Sequence, residues 1–333
     1  MNCTSGRLGL RRAVALGSVL LLVVAGCKSQ SGKGGSAVAV KQALVGKDGA
    51  RTVTAANTIV NRYSALVADA AAGTSALTVN AISDLATDLG TDGGLQALAV
   101  GDLLLVIQMA GATIDSSDTQ AYGTVSDANL NNAGNYELAG VAGVTTGTNT
   151  ITLSCPLKKS YTATGKAQVI RVAQYTTLTI NSGASITAPA WDGTVGGVVA
   201  VHAATTLQLA GTINVSAKGF RGGATDNSSA APGSNVVVYR SANATDGAEK
   251  GESIAGLPAD FGTGRYGRGA PANGGGGGDS HNAGGGGGAN AAASGLIWTG
   301  QGVMLSSVLG GPGAWPLDPS SGDGFTNSSG GGR

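Results

Sequence analysis

Charge, aromatic side chains and cysteine are all in short supply in this chain of 333 residues. Charged residues make up 12% and aromatics 4%, glutamate occurs only at Glu137, Glu249 and Glu252, and there are three cysteines and two histidines. Few glutamates and lysines leave little material for helices with a charged outer face. The 20 basic and 19 acidic residues nearly cancel, so nothing steers the chain toward nucleic acid or an anionic membrane surface. Long apolar runs are lacking too: one lies near the start, and no later stretch reaches the roughly 20 residues that spanning a bilayer requires. What is plentiful is Ala, Val, Thr, Ser, Asn and Gly, with 58 glycines. Such β-branched and turn-forming residues favour an all-β protein.

The early apolar run has a specific setting. Arg7, Arg11 and Arg12 precede it, Ala13 to Val24 carries it, Val24-Ala25-Gly26-Cys27 ends it, and Lys28-Ser29-Gln30-Ser31 follows. A basic head, a short apolar stretch and small residues before the cut form the pattern of a secretory signal. With the cysteine in place it resembles the lipobox of bacterial lipoproteins, which implies removal of residues 1–26 and lipidation of Cys27. Acyl chains contribute roughly 0.8 kcal/mol per buried methylene, and two or more make the anchor stable. Lys28 stands where an aspartate would mark inner-membrane retention, which implies the outer membrane or the cell surface. Without the three signal arginines, 17 basic residues face 19 acidic ones, a net charge of −2. Cys3 leaves with the signal, Cys27 takes lipid, and Cys155 alone remains. One thiol makes neither an internal disulfide nor a cysteine zinc site. Its surroundings, Ile151-Thr152-Leu153-Ser154-Cys155, read as a packed strand, with an intermolecular disulfide as the alternative.

Residues 27–52 form a Gly/Ser/Lys linker, flexible by composition. Residues 53–175 read as short strands between turns, which points to a small β-barrel or sandwich module. Strand candidates are 58–63, 76–80, 103–108, 135–138, 149–153 and 168–172; the alanine-rich stretch 65–72, ending at Gly73, reads equally as a short helix. Residues 176–245 hold an internal repeat. Thr177-Leu178-Thr179-Ile180 realigns with Thr206-Leu207-Gln208-Leu209 at a shift of 29 residues, which also pairs Ile186 with Val215 and Trp191 with Phe220. A strand at Val236–Tyr239 continues the series, with Val236 and Val238 following Leu207 and Leu209. Such a period in alternating strands suggests coils of a β-helix; two hairpins of a sandwich are the alternative. Residues 246–333 are glycine-rich, with five-glycine runs at 274–278 and 284–288. Ordering glycine costs more backbone entropy than ordering any other residue, so such runs are either flexible or packed where a Cβ has no room. Anchors such as Leu257, Phe261, Tyr266, Trp298 and Trp315 favour an ordered region. The chain stops at Gly330-Gly331-Gly332-Arg333 with no closing strand, as a fragment of a longer protein would.

Several blocks then carry a family likeness. They are Val60-Asn61-Arg62-Tyr63, Val100-Gly101-Asp102, Leu105–Met109, Ala133–Leu138 and Ala167–Tyr175, with the glycine runs around Ser280-His281-Asn282-Ala283. Together they make residues 55–333 resemble the large glycine-rich surface proteins of gliding bacteria known as adventurous gliding motility proteins, which are typically longer. The resemblance implies a structural protein of the envelope or surface serving motility or adhesion, and it brings no catalytic residues with it.

Residues for chemistry are sparse. His202 lies in the apolar strand Val198–Ala203, and His281 lies between the glycine runs beside Asp279 and Asn282. Asp279, His281 and Asn282 form a weak candidate ligand site, short of a metal set. Asp318 and Asp323 suggest a calcium loop without matching the EF-hand pattern. A carbohydrate-active β-helix enzyme needs carboxylates converging on one groove, and the repeat offers Asp192 and Asp226, with His202, Lys218, Arg221 and Arg240. Arg221-Gly222-Gly223 and Arg265–Gly269 are Arg-Gly segments of a kind that binds nucleic acid, a reading that export and charge balance oppose. Thr177, Thr179, Thr205 and Thr206 suggest a hydroxyl face for ice or crystalline polysaccharide, without a regular Thr-x-Thr ladder. The sequence predicts a non-enzymatic lipoprotein scaffold or adhesin of the outer membrane or cell surface, with no cofactor. Its expected partners are the membrane, through Cys27, and polysaccharide or other envelope proteins. The alternative is a β-helix enzyme or a glycan-binding module.

Overall fold

The computed structural model describes residues 22–24, 46–88, 95–119, 121–224, 238–277, 285 and 288. Strands and a few short 3-10 turns supply the regular structure among them. The strands are β1 (Leu22–Val24), β2 (Arg51–Val53), β3 (Thr58–Ile59), β4 (Arg62–Ala65), β5 (Ala76–Thr78), β6 (Thr87–Asp88) and β7 (Leu95–Gln96). They continue with β8 (Leu103–Gln108), β9 (Tyr136–Thr145), β10 (Thr150–Leu153), β11 (Ala167–Ile180), β12 (Ser185–Thr187), β13 (Ala200–Leu209) and β14 (Thr212–Ile213). The protein is all-β. Two compact units form, one of Met1–Met109 with Asn135–Gly219 and one of Ala110–Gly134 with Phe220–Arg333.

The alanine-rich stretch 65–72 is extended. Ala65 closes β4, Leu66 bridges Val79, and Ala70 bridges Tyr161. Burial of Leu66 and Ala70 in the sheet core overrides a helix propensity worth only tenths of a kcal/mol per residue.

In the first unit, β8 reads Leu-Leu-Leu-Val-Ile-Gln and is buried throughout, because each of its faces has a core. Leu104 and Val106 enter one with Leu77, Val141, Ile151 and Val169. Leu103, Leu105 and Ile107 enter the other with Ile170, Val172 and Val198. A strand covered on both sides has no reason to alternate. β8 pairs antiparallel with β9 and with the first part of β11, and β10 joins β9 to β5.

β11 is where one architecture becomes another. Residues 167–172 pair antiparallel with β8, residues 168–171 with β4, and residues 173–180 pair in parallel with β13. The change falls between Val172 and Ala173, and an irregularity between Tyr175 and Thr177 then shifts the parallel register by one residue. The sequence segments 53–175 and 176–245 therefore meet inside one continuous 14-residue strand.

Beyond that point lie three parallel coils. β2, β11 and β13 form one wall, with Arg51, Leu178 and Leu207 side by side and Val53, Ile180 and Leu209 side by side. β3, β12 and β14 form a second, with Thr58, Ile186 and Ile213 in a row. Val53, Leu178, Ile180, Ile186, Val201 and Val215 share the core. The 29-residue offset is the register of the first wall. In the second wall, Ile186 pairs with Ile213 instead of Val215. The turn after β11 takes residues 181–184 and the turn after β13 only 210–211, so the later coil arrives two residues early. An even shift keeps the same face inward. Gly211 permits the short turn, since a Cβ there would lie 2.3 Å from the Ala184 carbonyl oxygen. β1 lies parallel to β13 opposite Ala200–His202. The strand expected at 236–239 is not formed by Val238 and Tyr239, while Val236 and Val237 lie outside the described residues. Tyr239 instead donates its backbone N–H to the Asp118 carboxylate.

The second unit is built on glycine. A Cβ on Gly223, Gly276 or Gly277 would lie 1.9 Å from the Glu249 oxygen, 2.1 Å from the Arg268 oxygen or 1.8 Å from the Ala248 oxygen. Within the first glycine run, Gly274, Gly276 and Gly277 pack where a side chain has no room. Lys250 is wholly buried. Its Nζ donates to the carbonyls of Tyr239, Gly267 and Gly269 at 2.6, 2.8 and 2.7 Å and lies 4.5 Å from the Tyr122 ring centroid. Burial pushes the Tyr122 hydroxyl up to about 12.

Candidate functional site

The residues behind the family likeness fold into buried polar locks. Asn61 bridges β11 and β13: its amide nitrogen donates to the Arg171 and Ala200 carbonyls at 3.0 and 2.6 Å, and its oxygen accepts from the Ala200 N–H at 2.9 Å. Gln168 holds the turn at Gly196 through both of its amide atoms. Asp102, 1% exposed, takes the Arg171 guanidinium at 2.9 Å on one oxygen and the Lys47 ammonium on the other. Arg171 also donates to the Leu85 and Gln96 carbonyls at 3.2 and 2.7 Å. Glu137 accepts from the backbone of Lys158 and Lys159 and from the Tyr161 hydroxyl. Burial first, then this carboxylate, pushes that hydroxyl far above its usual range. Asp48 stands near Asp102; its Oδ2 accepts from the Gln174 N–H at 2.7 Å, and its buried Oδ1 has no partner among the described residues. Burial, reinforced by the Asp102 charge, raises its pKa. Ions bonded in this way fix loops to strands and are costly to unpair.

Of the residues singled out for catalysis, Asp192 and His202 are each engaged or enclosed by the fold. Asp192 is exposed and caps its own turn, accepting from the N–H groups of Thr194 and Val195 at 2.7 and 2.8 Å. His202 is fully buried on β13, neither ring nitrogen has a partner among the described residues, and burial lowers its pKa. Cys155 was expected inside a strand. It sits half-buried in the bend that follows β10, because pairing with β9 ends at Leu153. Cys27, Asp226, Asp279, His281, Asn282, Asp318 and Asp323 lie outside the described residues. Among those described, no helix is long and apolar enough to cross a membrane.

What does come together is a face of hydroxyls. Leu178 and Ile180 point inward from β11, so Thr177 and Thr179 point outward. The register sets Thr177 beside Thr206, and Thr179 between Thr52 and Gln208. Two rows result, on strands about 4.8 Å apart, with alternate residues of a strand roughly 6.6 Å apart. Thr52, Thr206 and Gln208 are exposed, and Thr177 and Thr179 are half-buried. Thr205 lies at the margin and donates its hydroxyl to the Thr176 carbonyl at 2.7 Å. The rows carry no charge. They offer fixed donors and acceptors to a ligand bearing hydroxyls of its own, and no group that could move a proton at neutral pH. Sequence reasoning found Thr177, Thr179 and Thr206 but missed Thr52, which lies 127 residues before its neighbour Thr179.

No family model matches the chain, and no curated protein matches it. Among solved structures it is similar to phage tailspikes. Gp54 of Acinetobacter baumannii bacteriophage AP22, in complex with A. baumannii capsular saccharide, matches at 13% identity and a TM-score of 0.22, over 41% of this chain and 19% of that one. The tailspike gp61 of Pseudomonas phage phi297 matches at 15% identity and a TM-score of 0.21, over 49% and 23%. Gp49 of Pseudomonas phage LKA1 matches at 12% and 0.20, over 43% and 27%. The chain thus spans 19% to 27% of the length of these structures.

Proposed function

We propose that this chain is an exported lipoprotein, held through Cys27 at the outer membrane or cell surface, that acts as a non-enzymatic scaffold or adhesin. Its threonine face would hold a neutral polysaccharide. The observation that carries the reading is the alignment of Thr52, Thr179 and Gln208, with Thr177 beside Thr206, on stacked parallel strands. Each hydrogen bond to a sugar contributes about 0.5–1.5 kcal/mol net, so useful affinity requires a polymer that engages several at once. The charged groups of the first unit that are bonded into strand locks support a scaffold role. The likeness to gliding-bacterium surface proteins extends the role to adhesion during surface motility.

The test uses the mature chain with Cys27→Ser, co-sedimented with insoluble polysaccharides. The wild-type face should bind at least one neutral polymer, and Thr179→Lys with Thr206→Lys should weaken that binding by tenfold or more while the circular dichroism spectrum stays the same. Equal binding by both proteins, or binding to none, removes the glycan reading. Release of a Cys27→Ala chain from washed membranes checks the anchor. Turnover of a polysaccharide that is lost on Asp192→Asn would reverse the non-enzymatic assignment.

A further inference from the structure

β1 consists of residues that the lipoprotein reading removes. Leu22–Val24 lies parallel to β13, with Leu22, Val23 and Val24 opposite Ala200, Val201 and His202. The same three residues close the apolar run of the leader, and only Ala25 and Gly26 stand between Val24 and Cys27.

Backbone directions show which groups the leader meets. Ala200 donates its N–H to the Asn61 side-chain oxygen at 2.9 Å, and its carbonyl accepts from the Asn61 amide at 2.6 Å. Asn61 also bonds the Arg171 carbonyl of β11, so Ala200 faces β11. Successive residues of a strand turn their N–H and C=O to opposite edges. Val201 therefore faces β1, where the parallel register brings it the Leu22 carbonyl and the Val24 N–H. Ala200, Val201 and His202 are 1%, 2% and 0% exposed. β13 contains no lysine, arginine, carboxylate or proline, the residues that keep an open edge from taking up a strand.

The leader has two incompatible places. As a secretory signal its apolar run belongs in the membrane, and a peptidase holds the residues before the bond it cuts as extended, unpaired backbone. Three extended residues span about 10 Å, so pairing of Val24 keeps the Gly26–Cys27 bond within that distance of β13. We propose that β13 and the processing machinery compete for the leader. Once Leu22–Val24 has joined the sheet, water no longer adds across the Gly26–Cys27 amide to leave a carboxylate on Gly26 and an amine on Cys27. The cut therefore precedes closure of this edge, and the chain crosses the membrane unfolded. A route for folded proteins, of the kind that a twin arginine addresses, would present Arg11-Arg12 on a leader already held in the sheet. The competition rests on the lipoprotein reading; the pairing beneath it is tested without that reading.

The test compares the full chain carrying Cys27→Ser, which neither lipid nor cut alters, with residues 27–333 carrying the same substitution. In hydrogen exchange, loss of the leader should lower protection of the Val201 N–H by tenfold or more and spare the Ala200 N–H, whose acceptor is Asn61. Elastase grips several residues before the bond it cuts. It should cut after Ala25 at least tenfold faster in Val24→Pro, which lacks the N–H that meets Val201, than in the folded full chain. Val23→Pro, whose missing N–H points away from β13, should resist like the unsubstituted leader. Both variants leave residues 27–333 untouched, so the coils fold in each. Equal exchange at Val201 with and without the leader, or equal cleavage of all three leaders, overturns the pairing. For the competition, the precursor with its natural Cys27 is given to detergent-solubilised bacterial membranes, where no translocation is needed. The folded precursor should be processed at least tenfold more slowly than the same chain diluted from urea, and equal rates overturn the proposal. Processing of neither form overturns the lipoprotein reading instead, while the exchange and elastase results still decide the pairing.

Discussion

Leu178 on β11 lies side by side with Leu207 on β13, and both face the core between the two walls of coils. Leu178 has a coil on each side and is fully buried, whereas Leu209, further along β13, is 52% exposed. Leu178→Ala should therefore destabilise the first unit by about 2–5 kcal/mol, the range for truncating a core leucine. Leu209→Ala should cost no more than about 0.5 kcal/mol, as exposed substitutions do. Denaturant unfolding of the two variants measures the difference. Equal losses would mean that the coils do not stack in this register.

The register of those two strands was legible because consecutive coils repeat their own spacing. The first coil was not. β2 and β3 are separated from β11 by the whole antiparallel module, and no periodicity survives an insertion of that size. One threonine of the face, Thr52, was hidden for the same reason, since it belongs to that first coil. β8 could be read as a buried strand from its run of apolar residues, but the roles of Asn61, Gln168 and Asp102 could not. A polar side chain that bonds across strands leaves no pattern along one of them. The Arg-Gly composition of residues 265–269 was visible, yet nothing in it separates exposed Arg265 from buried Arg268, because glycine packing follows no hydropathy period.

Glycine substitutions should separate close packing from mere flexibility in the second unit. A Cβ on Gly277 would meet the Ala248 carbonyl oxygen at 1.8 Å, while one on Gly222 meets nothing within 4 Å. Backbone cannot swing aside as a side chain can, so Gly277→Ala should cost about 1–3 kcal/mol or more. Gly222→Ala should be neutral or stabilise by up to about 1 kcal/mol through the unfolded chain. Hydrogen exchange over residues 238–277 reads both. Unchanged protection in Gly277→Ala would contradict the packing.

The Asp102–Arg171 pair is buried on both sides, at 1% and 4% side-chain exposure, whereas Lys47 is 32% exposed. Arg171→Met leaves Asp102 in the interior with only the outer cation and should cost about 3–5 kcal/mol. Lys47→Met should cost about 1 kcal/mol or less, in the range of exposed pairs. Asp102→Leu combined with Arg171→Met should recover part of the single-variant loss, because no unpaired charge then remains. A double variant as unstable as the two single losses added together would show that the residues do not act as a pair.

Two buried groups should tilt stability in opposite directions with pH. Burial raises the pKa of Asp48 above its ordinary 3.8. Below that value both the folded and the unfolded chain hold the proton, and burial of the group costs nothing. As pH rises, the unfolded chain releases its proton first, so stability falls by up to about 1.4 kcal/mol per pH unit. The fall ends once pH passes the raised folded value. Asp48→Asn still accepts from the Gln174 N–H but cannot ionise, so this decline should vanish and the variant should be the more stable at neutral pH. Burial lowers the pKa of His202 below 6.5, so its contribution is lost as pH falls from 6.5 through the folded value, where the unfolded chain binds the extra proton. His202→Leu should remove that acid-side loss, and its ring nitrogens leave no bond behind to break. Urea midpoints from about pH 4 to pH 8 measure both arms. If Asp48→Asn and wild type already trace parallel curves as pH rises from about 4, where the wild type alone should lose stability, the carboxylate is not held in the environment described.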